Sequence, residues 1–340
     1  MRIALVLLLT AACLAWVLWG LNPSHIVQAL REVRWQWMVP MVLLQITVVH
    51  GLRTRRLQVL LDVPVRFGAL FSINAVGNLA INVVPFRLGE LVRPYLLMEQ
   101  QKVPLGAAFA AIFVARLLDM TMLLALLTGV GLVVSLPPQG LVVGGVDVVA
   151  VGQRTGGVVT VGGLGFIAAL VLVGEPVVQL VERLLPAHPV VERGLGFLRA
   201  FQRGFAGLAR QPLRFAEALL HSVLAWAATV VVVLTCMLAF DGIPHRLDVA
   251  ATIWATTITG TIVVPTPGFV GAYEAFCLAA LLLWDVPKAV GSTFAVVLHA
   301  GQLASTILLG SIFLLREGLS LRQIVASSQE VLQKEEIPLP

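Results

Sequence analysis

Apolar residues run through this chain in long blocks instead of the half-polar stripes of a soluble helix. Six blocks approach or exceed the roughly 20 residues that cross a bilayer as a helix. They lie at about 2–21, 36–52, 106–135, 155–174, 216–240 and 289–315. Two further blocks, about 67–104 and 249–285, are interrupted. The first contains Ile81-Asn82-Val83-Val84-Pro85-Phe86-Arg87-Leu88-Gly89-Glu90-Leu91-Val92-Arg93. The second contains Ile262-Val263-Val264-Pro265-Thr266-Pro267-Gly268-Phe269-Val270-Gly271-Ala272-Tyr273-Glu274. Each apolar run stops at Val-Val-Pro, passes through glycine and meets a glutamate. Pro85, Gly89, Pro265, Pro267, Gly268 and Gly271 are therefore the expected breaks. The pieces beyond them, 91–104 and 273–284, are short for full spans. The pattern predicts an all-α polytopic membrane protein with six spanning helices plus two broken, re-entrant elements. Paired interruptions of this kind point to a transporter binding site.

Composition strengthens the membrane reading. The 340 residues are 59% hydrophobic and 12% charged, against roughly 25% charge in soluble domains, and mean hydropathy is +0.95. No stretch is long and polar enough to form a soluble enzyme module. The net charge of +5 fits the orientation bias of membrane proteins better than nucleic-acid binding. With the N-terminus inside, 17 of the 23 Lys and Arg fall on the cytoplasmic side, five fall outside, and Arg116 lies within a span. The expected topology is N-in, C-in. It makes the regions of about 1–135 and 155–315 two inverted halves, an architecture common in transporters. Residues 175–215, where arginines interleave with Leu and Phe, read as a basic amphipathic cytoplasmic segment, and 316–340 as a cytoplasmic tail. Arg2 and Thr10-Ala11-Ala12-Cys13 resemble a lipoprotein signal, but the apolar run continues past Cys13, which favours a retained first helix. Cys13, Cys236 and Cys277 show no metal spacing and read as buried apolar residues.

Ionisable groups at membrane depth are costly and are functional candidates by default. Arg87, Glu90 and Arg93 cluster at the first break. Glu90 and Arg93 are three apart and share a face if helical. A helix beginning near Gly89 would aim free N–H groups at the same place, an arrangement suited to a lipid phosphate. Arg116 and Asp119, also three apart, can pair with each other or face substrate. Glu274 can neutralise a cationic headgroup, take a proton, or pair with an arginine of the first half. His50, His299 and Gln302 are weaker candidates for contacts between helices. There is no His-Glu-x-x-His, Gly-x-Ser-x-Gly, Walker or paired-aspartate motif. No catalytic activity, metal or cofactor is expected on this ground.

Three blocks together resemble one family: Val84–Arg93, then Ala115-Arg116-Leu117-Leu118-Asp119, then Pro265–Glu274. Their identity and order are similar to the lysylphosphatidylglycerol synthase transmembrane-region family, also called the flippase-like domain or UPF0104 family. Phe269 and Ala272 depart from the family's usual residues. The resemblance implies a multi-pass protein of the cell (inner) membrane, of prokaryotic type, that moves a phospholipid or glycolipid between leaflets. The headgroup would meet Arg87, Glu90, Arg93, Arg116, Asp119 and Glu274. In multiple-peptide-resistance proteins the family's domain is fused to an aminoacyl-transferase domain; a stand-alone member without that domain is the expectation here. Two alternatives stand beside transport: an integral-membrane transferase using a lipid-linked donor, and a scaffold for a lipid-modifying enzyme. The expected partner is a lipid with an anionic headgroup. A lipid-modifying enzyme and a second copy of the chain stay open as partners, and nucleic acid is not expected.

Overall fold

A computed structural model describes residues 13–17, 23–61, 63–83, 89–133, 142–143, 146–147, 150–151, 154, 157–158, 161–162, 165, 195–196, 199, 211–264, 266–318 and 320. Pro85, Arg87 and Pro265 lie outside these residues. So do most of the blocks 2–21 and 155–174, the segment 175–215 and the tail.

The described residues are almost wholly helical. In chain order the helices are α1 (Pro23–Glu32), α2 (Met38–Leu44), α3 (His50–Leu60), α4 (Phe67–Val83), α5 (Val92–Gln101), α6 (Leu105–Val133), α7 (Pro212–Met237), α8 (Leu247–Val263), α9 (Ala272–Leu282) and α10 (Lys288–Arg316). A π-turn, Gln45–Val49, joins α2 to α3. One two-residue antiparallel ladder pairs Val142–Val143 with Val146–Asp147. Four stretches are long and apolar enough to cross a membrane: Trp35–Leu60, Leu105–Gly131, Pro212–Met237 and Lys288–Arg316. They correspond to four of the six expected spans. α4 and α8 have 17 residues each, α5 has 10 and α9 has 11. At 1.5 Å per residue, α5 and α9 are roughly 15 Å long, about half the hydrocarbon thickness.

The chain divides into two compact units. Unit 1 contains residues 1–49, 120–157 and 225–305; unit 2 contains residues 50–119, 158–224 and 306–340. In unit 1 the core gathers α2, α8, α9 and parts of α6, α7 and α10 around Met41, Phe240, Ile253, Leu281, Phe294 and Leu298. Phe240 and Phe294 meet edge to face at 5.3 Å. In unit 2 the core joins α3, α4, α5 and parts of α6, α7 and α10 around Leu60, Leu70, Ile73, Val92, Leu97 and Ala108.

Lipid is as apolar as leucine, so helices in it hold together by close packing and polar contacts more than by exclusion of water. Small residues sit where that packing is tightest. A Cβ on Gly260 of α8 would overlap the Phe276 ring of α9, and one on Gly310 of α10 would overlap Leu79 of α4.

The second break is visible in the backbone. α8 ends at Val263, and Gly268, Phe269 and Gly271 have φ of +57°, +60° and +86°. These are left-handed values that glycine adopts freely and phenylalanine does not. α9 then begins at Ala272 with Gly271 as its N-cap. At the first break, α4 ends at Val83, and a short 3₁₀ turn at Gly89–Leu91 leads into α5. Gly89 is buried there against the Ala80 carbonyl, where a Cβ would overlap the backbone.

Candidate functional site

The polar interior of unit 2 starts from α4. Asn74, Asn78 and Asn82 are four apart, so they line one face of the helix. Asn74 donates to Thr54 of α3 at 3.1 Å. His50 Nε2 lies 3.1 Å from the Phe71 carbonyl, and its Nδ1 lies 3.4 Å from Asn78 Nδ2. The Asn78 side-chain oxygen, Oδ1, accepts a close hydrogen bond from the Arg93 guanidinium. The Arg93 side chain runs across Gly77, where a Cβ would occupy the same space. Gly77 and Asn78 therefore fix where Arg93 points: the glycine leaves the channel and the asparagine holds the head.

Arg56 of α3 makes the strongest ion pair of this unit. Its two terminal nitrogens donate to the two carboxylate oxygens of Asp119 on α6 at 2.7 and 3.1 Å. The side chains are only 6% and 16% exposed. Ser222 of α7 accepts a third, longer bond from Arg56 at 3.3 Å. A bidentate arginine–carboxylate pair fixes geometry as well as charge, and removing either partner would strand a buried charge.

Arg116, one turn before Asp119, reaches Glu90 at 3.8 Å, with both side chains nearly half exposed. Arg53, one turn before Arg56, makes no ion pair among the described residues, and its buried Nε lacks a hydrogen-bond acceptor. It lies within electrostatic reach of Asp119, Arg56 and Arg116. Arg93 lies within reach of Arg116, Glu90, Arg53 and Asp119. Four guanidinium groups thus share one region with two carboxylates.

Glu274 sits elsewhere, in unit 1. It is 6% exposed and lies in the first turn of α9. One carboxylate oxygen accepts the Gly271 backbone N–H at 2.7 Å, capping the helix at its break. The other lies 2.6 Å from His299 Nδ1 of α10. The His299 ring stacks on Tyr273 with centroids 4.3 Å apart, and the Tyr273 hydroxyl donates to Gln302 at 3.1 Å. Both glutamate oxygens are therefore occupied inside the protein.

Of the sequence candidates, the structure brings Glu90, Arg93, Arg116 and Asp119 together in unit 2. It gives Glu274 its own partners in unit 1. It also adds two arginines, Arg53 and Arg56, which lie just beyond the apolar block 36–52. Two signals could have found them. They lie three apart at the end of an apolar span, and Asp119, buried in another span, needs a cation. The Asn74-Asn78-Asn82 row was equally legible. Among the described residues, no cluster of three or more His, Cys, Asp or Glu is placed to hold a metal ion.

A comparison with known families agrees with the resemblance that the three sequence blocks carry. The lysylphosphatidylglycerol synthase TM region matches residues 3–310. The chain belongs to that family. It is also similar to the glycosyltransferase AglD of Haloferax volcanii, with 28% identity over 360 residues. The match takes in 97% of this chain but 56% of that relative, so the chain spans little more than half of its length. No solved structure matches. The AglD match corrects the expectation that the chain is not an enzyme, since nearly all of it aligns with a protein named as a transferase.

Proposed function

We propose that this family member is the membrane-embedded component of a transferase acting on a lipid-linked donor, and that the arginine cluster of unit 2 holds the donor's phosphate. The observation that carries this reading is the four-to-two excess of guanidinium over carboxylate among Arg53, Arg56, Arg93, Arg116, Glu90 and Asp119. Such an excess at membrane depth is expensive without an anion to meet it, and arginine's planar fork suits phosphate oxygens. The similarity to AglD supports glycosyl transfer as the reaction class.

The chemistry fits the residues. When a glycosyl group leaves a lipid phosphate, its carbon–oxygen bond breaks and the electron pair stays on the phosphate. The acceptor hydroxyl forms the new bond and gives up its proton. Preorganised guanidinium groups stabilise the charge that grows on the leaving phosphate. A carboxylate must take the proton. Asp119 is locked to Arg56 and Glu274 is occupied on both oxygens. Glu90, half exposed and held only by a 3.8 Å contact, is the carboxylate free for that task.

The test is reconstitution of the full chain in vesicles with a lipid-linked sugar donor and a soluble acceptor, with product read by mass spectrometry. The proposal expects product, loss of product with Glu90→Gln, and retained donor binding in that variant. Saturable donor binding without product, in both the chain and Glu90→Gln, would defeat the transferase reading.

A second reading, movement of a phospholipid or glycolipid headgroup between leaflets, is favoured by one observation. The row Asn74, Asn78 and Asn82 leads along α4 beside Arg93, giving a polar track through an apolar unit. Leaflet exchange of fluorescent lipids no faster than in empty vesicles would remove it.

A further inference from the structure

Within the arginine cluster the four cations are not equivalent. Arg56 is spent on Asp119 through two hydrogen bonds. Arg116 is opposed by Glu90. Arg53 and Arg93 are left without a carboxylate of their own among the described residues. The Nε atoms of both are buried and have no hydrogen-bond acceptor. Arg93 is held in place by Asn78, a neutral partner, and by the channel over Gly77. The cluster therefore keeps two positive charges and two donors for an outside anion.

We infer that Arg53 and Arg93 form a seat for a doubly charged lipid phosphate, a phosphate monoester or a diphosphate, in preference to a singly charged phosphodiester. This rests on the phosphate reading above and sharpens it. A lipid-phosphate-sugar carries one negative charge on its phosphodiester. When the glycosyl carbon–oxygen bond breaks, the electron pair remains on the phosphate, which becomes a monoester with two charges. A seat with charge +2 matches the departing lipid phosphate better than the intact donor. Binding that favours the later state lowers the barrier instead of merely holding the donor. The same seat makes the released lipid phosphate a strong competitive inhibitor.

Phosphatidic acid and phosphatidylglycerol with identical acyl chains test this directly, since they share an anchor and differ in phosphate charge. Each would be doped into phosphatidylcholine nanodiscs holding the full chain. Binding would be read by native mass spectrometry at pH 8, above the second ionisation of a monoester near 6. The expected preference for phosphatidic acid is about tenfold, what one added charge-assisted hydrogen bond supplies. Arg53→Gln and Arg93→Gln should each reduce it towards parity, and Arg93→Lys, which keeps the charge, should retain most of it. Arg55→Gln, at an exposed arginine paired with Glu217, should leave it unchanged. Monodispersity and unaltered phosphatidylcholine retention identify variants that fold. Equal binding of the two lipids, lost in the arginine variants, would overturn the charge preference while keeping the phosphate site. Saturable binding of neither lipid would overturn both.

Discussion

Asp119→Ala is the sharpest perturbation of unit 2. Arg56 and Asp119 are 6% and 16% exposed and joined by two hydrogen bonds, so the aspartate's removal leaves a guanidinium buried with Ser222 as its remaining partner. Breaking a buried pair on one side costs about 3–5 kcal/mol. For a chain of this size, the lower figure corresponds to a drop of roughly 4 °C in apparent melting temperature. Arg116→Ala is the internal comparison. Its ion pair with Glu90 is nearly half exposed and 3.8 Å long, and exposed pairs contribute about 0–1 kcal/mol. Its melting shift should be within roughly 2 °C. The double variant Arg56→Met/Asp119→Leu replaces both charges by apolar groups and should recover most of the stability lost in the single variant, because a buried pair is often no better than a packed apolar one. The assay is thermal unfolding in detergent followed by tryptophan fluorescence and by loss of the monodisperse peak. Equal shifts for Asp119→Ala and Arg116→Ala, or a double variant as damaged as the single, would refute the reasoning. Lipid binding by a stable double variant would further show that the pair scaffolds the cluster without touching the ligand.

Gly77→Ala places a Cβ where the Arg93 side chain lies, and it should weaken anionic-lipid binding several-fold. Gly51→Ala, where nothing lies within 4 Å, should leave binding unchanged and add up to about 1 kcal/mol of helix stability. Glu274→Gln keeps an oxygen for the Gly271 N–H and should lower the melting temperature less than Glu274→Ala, which loses an N-cap contact worth about 1 kcal/mol as well as the His299 partner. Gly260→Ala drives a Cβ into the Phe276 ring and should destabilise the α8–α9 pair by about 1–3 kcal/mol, readable as faster backbone hydrogen exchange in 247–282. In the transfer assay Glu90→Gln should abolish product and leave donor affinity within about threefold, as expected of a group needed for the chemical step and not for binding.

The backbone breaks and the four described long spans were legible in the apolar pattern, and Glu90, Arg93, Arg116, Asp119 and Glu274 stood out because each is a charge in an apolar run. The partners were not legible. Arg116 and Asp119 are three apart and suggested each other, but a helix interior offers neighbours from several directions. Arg56, 63 residues away in sequence, engages both oxygens of Asp119. Arg53 and Arg56 looked like ordinary cytoplasmic-loop charges because α3 continues as helix beyond the apolar block without a hydropathy signal to mark it. For Glu274 the sequence offered a headgroup, a proton or an arginine as partner, whereas its oxygens meet the Gly271 N–H and His299.

The break between α8 and α9 also bears on how the chain reaches the membrane. α8 has 17 residues and α9 has 11, roughly 25 and 16 Å at 1.5 Å per residue, and a bilayer core is about 30 Å thick. α9 alone is too short to span the bilayer core, and irregular backbone is tolerated at membrane depth only where protein or water covers its polar groups. Only when α9 has folded back against α8, with Gly260 under Phe276 and Glu274 closing the helix start, are those groups covered. The two helices are therefore expected to enter lipid as a pair. A cysteine placed in α8 should react with a water-soluble maleimide in a nascent chain stopped just after α8, and should be protected in one long enough to include α9; equal labelling of the two would refute the coupling.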